Sequence, residues 1–108
     1  MGKPKPPVSA DPPTAYRITV ERNIVGEFCL ELEKRFQAEM KTADIPVVLD
    51  LSRVKLIDSR GIALCVGLLK ECQKKNLPLT VAVSPDLDSF FRLLKLDRVF
   101  KFVQKEKV

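Results

Sequence analysis

Asp58, Ser59 and Arg60 place a carboxylate, a hydroxyl and a guanidinium side by side, with Gly61 following. From Ile62 the apolar period becomes helical, so these groups stand where a helix starts. Unpaired backbone N–H groups at such a start favour negative charge. The plain use of a serine there is to cap the helix. A second use, nucleophilic catalysis, lacks its partner. The chain contains no histidine, which removes every Ser–His and Cys–His pair and all histidine metal sites, and no lysine is evidently placed to replace the base. No enzyme activity, cofactor or metal is expected. Turnover lost on Ser59→Ala would reverse that expectation.

The remaining reactive side chains read as structural. Asp50 interrupts an apolar run near the end of a strand and is expected to cap local N–H groups. Joining Asp58 in an acidic floor is the lesser reading, because two acids without a third polar partner make a poor metal cage. Cys29, Cys65 and Cys72 form an odd set with no C-x-x-C pair. Cys65 and Cys72 fall on an apolar helix face, which suits reduced core thiols.

The elements that position the corner follow from periodicity. Val47 to Leu51 is apolar on both faces, the pattern of a central strand covered by helices on each side. The pair Leu56-Ile57 leads to the corner, and a helix is expected from Ser59 to about Lys75. Its Ile62, Cys65, Leu68, Leu69 and Cys72 point inward, and Ala63, Gly67, Lys70 and Lys74 point outward. The outward side of its first two turns is small and smooth, fit for docking another protein. Gly67 there costs the helix roughly 1 kcal/mol relative to alanine.

Upstream, Tyr16 to Glu21 alternates as a half-exposed strand, with Tyr16, Ile18 and Val20 inward. Arg22-Asn23 turns, Ile24-Val25 extends the pairing, and Gly26 marks a corner. A helix over Glu27–Lys41 buries Cys29, Leu32, Phe36 and Met40, with Glu31 and Arg35 paired on its exposed side. Downstream, Asn76 ends the second helix and Leu77–Val83 forms a strand. Ser84-Pro85-Asp86 starts a helix as cap, first-position proline and first-turn acid. Leu87, Phe90, Phe91 and Leu94 line its inner stripe, Leu96–Arg98 turns, and Val99–Val103 closes as a short strand. Strands alternating with helices give an α/β fold.

The run VVLDLSRVKLIDSRGIALCVGLLKE resembles the signature of STAS domains, the fold of bacterial anti-sigma factor antagonists and of the regulatory tails of sulfate transporters. The family pattern, a V-x-L-D-L strand, an apolar pair, then D-S-x-G-[LI] opening a helix, falls on Val47–Leu51, Leu56-Ile57, and Asp58, Ser59, Gly61 and Ile62. With LPLTVAVS and SPDLDSFFRLLKLDRVFKF, the similarity spans roughly residues 16 to 103. Arg60 stands where many antagonists carry a small hydroxyl residue, and Ala63 where glycine is common. The resemblance implies a sandwich of a four- or five-stranded mixed sheet with helices packed over it. It also implies a partner-switching antagonist that binds a serine-kinase anti-sigma factor, with a phosphatase as a further candidate partner. Phosphorylation of Ser59 would switch it off, and Asp58, Ser59, Arg60, Gly61, Ala63 and Gly67 would form the contact surface. The alternative on the same fold is a non-phosphorylated adaptor subunit of a transport or signalling complex.

The chain's 108 residues suit one domain with a core that needs no disulfide. Residues 1–15 hold five of the eight prolines and read as a disordered leader, largely displacing the first strand STAS domains usually have; 16–108 is the domain. No apolar run reaches membrane-span length and no signal peptide is evident, so a cytoplasmic protein, monomeric or weakly dimeric, is expected. The net charge of +5 is spread as +1 in residues 1–15, +2 in 101–108 and +2 in between. With no tryptophan and one tyrosine, direct nucleic-acid binding is not expected.

Overall fold

In the computed structural model, residues 15–98 are described in full and 101–104 as backbone. Strand β1 (Tyr16–Thr19) leads to α1 (Phe28–Thr42), β2 (Val47–Leu51), α2 (Ser59–Lys74), β3 (Leu79–Val83), α3 (Pro85–Leu93), a 3₁₀ turn (Leu96–Arg98) and β4 (Lys101–Gln104). The strands lie in the order β1-β2-β3-β4 and every adjacent pair is parallel. Among the described residues the sheet is thus parallel, where a mixed one was expected. A helix separates each described strand from the next, and such crossovers return the chain in the same direction. The proline-rich stretch 1–14, expected as a leader, lies outside the described residues.

One core sits between the sheet and the helices. It takes Val47, Leu49 and Leu51 from β2, Leu79, Val81 and Val83 from β3, and Ile18 from β1. Against them pack Cys29, Leu32, Phe36 and Met40 of α1, Cys65, Leu68 and Cys72 of α2, and Leu87 and Phe91 of α3. Because strand side chains alternate, all three helices cover the same face. That corrects the expectation of helices on both sides of β2. Val48 and Ala82 point the other way and are buried outside this cluster. On that second face Asp50, next to Thr19 in register, pairs with Arg17 at 2.6 Å and accepts the Ser52 amide and hydroxyl at 2.9 and 2.6 Å. The capping role expected of Asp50 is the one it has.

Three local readings change. Arg35 pairs with Glu39 at 2.7 Å rather than with Glu31. Phe90 and Leu94, expected inside, are 36% and 43% exposed, because α3 is short and only its Leu87–Phe91 stripe reaches the sheet. The third strand starts at Leu79 rather than Leu77, since Asn76 takes a φ of 59° and the chain uses the next two residues to straighten. Lys75 also has an unanticipated role: its ammonium group donates to the Met40 and Ala43 carbonyls and so closes the C-terminal end of α1.

Candidate partner-binding site

The corner before α2 is built by two loops laced together. Ile24 donates to the Leu56 carbonyl and Asp58 to the Ile24 carbonyl, both at 3.0 Å, around a parallel bridge between Ile24 and Ile57. Asn23 accepts from the Lys55 and Leu56 amides at 3.0 and 3.1 Å. Asp58 then ties both loops to α2: one carboxylate oxygen accepts from Gly26 N at 3.0 Å, the other from Gly61 N at 2.9 Å and the Cys29 thiol at 3.5 Å. Gly26 can offer its amide this way because its φ of 62° turns the chain sharply.

Asp58, not Ser59, is thus the helix cap. A carboxylate supplies the same acceptor as a hydroxyl and adds a favourable charge at the helix start. The Gly26 and Gly61 amides, with help from Cys29 and Arg60, hold its pKa below the ordinary carboxylate range. Ser59 follows at the first helical position, exposed, and none of the corner's hydrogen bonds among the described residues uses its hydroxyl. Arg60 beside it is exposed as well.

Gly61 is buried. A β-carbon there would meet Ile57 Cγ1 at 2.6 Å, Ile24 Cγ2 at 2.7 Å and the Ile24 carbonyl oxygen at 2.9 Å. Gly61 therefore lets α2 close onto the two laced loops and offers no surface of its own. Gly67 is the opposite case: a β-carbon there meets nothing within 4 Å. With Ala63 it forms one wall of an open groove of about 610 Å³. Phe36, Met40, Leu64 and Leu68 line it together with Glu33, Gln37, Lys41, Glu71 and Lys75.

Of the six residues picked out as a contact surface, Ser59, Arg60, Ala63 and Gly67 are exposed along one end and side of α2, while Asp58 and Gly61 are spent on the corner. The structure does not bring Asp50 to Asp58; its carboxylate is engaged by Arg17 and Ser52. Among the described residues no group of three potential metal ligands occurs. The thiols are buried, and burial pushes Cys65 up to about 12 and Cys72 to about 11. Sequence reasoning missed Asn23 and Arg17, whose partners lie more than thirty positions away. It also missed the α1 wall of the groove, although Phe36 and Met40 were read as apolar.

No helix among the described residues is long and apolar enough to cross a membrane. No curated protein matches the sequence. The crystal structure of a candidate anti-sigma factor antagonist from Thermotoga maritima is similar in fold, with a TM-score of 0.70 at 20% identity, over 85% of this chain and 80% of that one. The family model described as "Mlab, STAS domain" matches residues 10–104. It spans the laced corner, the Asp58 cap and the whole parallel sheet, and on that match the chain belongs to the STAS-domain family.

Proposed function

We propose that this chain is a cytoplasmic partner-switching protein of the anti-sigma factor antagonist kind. It docks a serine-kinase anti-sigma factor along Ser59, Arg60, Ala63 and Gly67, and phosphorylation of Ser59 ends the contact. One observation carries the reading: Asp58 supplies the cap, so the exposed Ser59 hydroxyl has no structural role to lose. A phosphoryl group adds roughly −1.5 to −2 charges. On Ser59 it meets the positive end of α2 and the Arg60 guanidinium, with Asp58 opposing. The fold survives, and a partner lying on Ala63 and Gly67 has to face or desolvate a dianion. The Thermotoga protein supports the fold, and its description the direction of the proposal.

The test is reaction with the cognate kinase and ATP, the site mapped by mass spectrometry, with partner affinity measured for two variants. Label on Ser59, weakened binding of Ser59→Asp and retained but unregulated binding of Ser59→Ala are expected. Label elsewhere, or equal affinity for Ser59→Asp and wild type, overturns the switch. A second reading, the adaptor that is never phosphorylated, is favoured by the groove, which runs from Ala63 to Lys75 and away from Ser59. Under either reading Gly67→Arg blocks docking while leaving the fold intact; only the first makes Ser59→Asp matter.

A further inference from the structure

The loop between β2 and α2 is charged and apolar in a way its fold does not use. Arg53, Lys55 and Arg60 are exposed cations. Asp58, the acid among residues 52–60, has both oxygens engaged by Gly26, Gly61 and Cys29. Residues 52–60 carry +2, which is the whole net charge of residues 16–100; elsewhere in that span acids and bases cancel. Glu21 and Glu27 on the adjoining segment stand against Arg22, which lies 4.4 Å over the Phe28 ring.

Amid these cations stand two apolar side chains. Ile24 and Ile57 face each other across the bridge and are buried, so Val25 and Leu56, next to them, turn outward. Leu56 is 61% exposed and Val25 40%. A single exposed leucine is ordinary. Two on the outward side of one bridge, Val25 a step after Ile24 and Leu56 a step before Ile57, beside a loop that is pinned by Asn23 and bears three exposed cations, make a small preformed anchor site.

We propose that this corner selects the partner, and that the partner brings an acidic segment with an apolar anchor: the anchor seats on Leu56 and Val25, and its flanking carboxylates pair with Arg53, Lys55 and Arg60. The inference rests on the docking reading above and names the chemistry of what docks. Apolar contact fixes position, and opposite charge selects the partner and speeds its approach. The proposal also gives the Ser59 phosphate its effect. Adding roughly −1.5 to −2 charges brings the +2 of the corner close to zero and sets an anion against the partner's carboxylates.

A displayed library of random short peptides, panned on the folded full-length chain, tests this without knowing the partner. Selected sequences should be rich in Asp and Glu beside Leu, Ile or Phe. Their affinity should fall about tenfold or more for Leu56→Glu and for Arg53→Glu with Lys55→Glu, and should weaken as salt rises from about 50 to about 500 mM. These side chains are exposed, and unchanged circular dichroism and melting confirm that each variant folds. Selection without acidic enrichment, affinity indifferent to those variants, no selection above a control protein, or single-stranded RNA bound as tightly as the peptides would each overturn the proposal. Gly67→Arg separates the two readings. Peptides that lose Leu56→Glu but keep Gly67→Arg remove the α2 surface and leave the corner; the reverse removes the corner.

Discussion

Replacing Gly61 and Gly67 by alanine, one at a time, makes the same chemical change in one helix and should give opposite results. At Gly67 the new methyl group enters open space. The substitution then acts through the unfolded chain and helix propensity, stabilising by about 0.4–1 kcal/mol. At Gly61 the same gain is set against three contacts of 2.6, 2.7 and 2.9 Å. Two are with branched side chains that are themselves buried, and the third is with a backbone carbonyl. That carbonyl also accepts from Asp58 N at 3.0 Å, so moving it disturbs the lacing of the corner. Overpacking of this kind costs about 1–3 kcal/mol, occasionally more. Urea unfolding monitored by circular dichroism should separate the two variants by about 1–3 kcal/mol, because the common gain cancels, which is some 4–24 °C in melting temperature for a domain this size. Equal stabilities, or a Gly67→Ala variant as damaged as Gly61→Ala, would refute the assignment of one glycine to packing and the other to surface.

Three further outcomes follow from burial and charge. Leu68→Ala should destabilise by about 2–5 kcal/mol, because Leu68 is 2% exposed, and half-buried Leu69, which the periodicity also put inside, should cost less in the same unfolding assay. Burial pushes the Asp50 carboxyl up, but the Ser52 hydroxyl and amide together with Arg17 outweigh it and hold the group below its ordinary value of 3.8. Its contribution to stability is therefore complete above about pH 4 and lost as pH falls through the folded-state value, so Asp50→Asn should flatten the acid limb of a pH–stability curve. Cys65 and Cys72, raised to about 12 and about 11 by burial, should resist alkylation at neutral pH until denaturant is added.

Much of this molecule could be read from local pattern. The helices α1 and α2 begin and end within a residue of the periodicity, because their apolar stripes are long and bounded by Gly26, Asp58 and Asn76. Ser84 was legible as the cap of α3, since hydroxyl, proline and acid stand in sequence; it accepts from Leu87 N at 3.2 Å. What was not legible depends on partners far along the chain. Nothing near Asn23 announces that its side chain holds the loop before α2. Nothing in the β2 run tells which face the helices take, since a strand buried on both sides looks the same whichever way they stack. At the corner, capping was read as one use of Ser59, whereas Asp58 makes the cap. Asp58 and Ser59 are adjacent, both can cap, and only the backbone register decides.

The proposed switch at this position depends on that register. A serine that caps a helix is already in use, because its oxygen accepts from the helix N–H groups and a phosphoryl group on it would have to take over that hydrogen bond. Moving the cap one residue back to Asp58 leaves those groups satisfied by a side chain that a serine kinase does not modify. Ser59 keeps the favourable field of the helix start without being needed there. The burial of Gly61 supports the same arrangement, since close approach of α2 to the laced loops holds the Ser59 end of the helix fixed relative to Leu56 and Val25. A charge added at Ser59 is then delivered to a rigid surface rather than absorbed by a yielding one. On that account Gly61→Ala, besides losing stability, should blunt the difference in partner affinity between Ser59→Ala and Ser59→Asp when the two are compared in its background. An undiminished difference would show that the rigidity of the corner plays no part in the proposed switch.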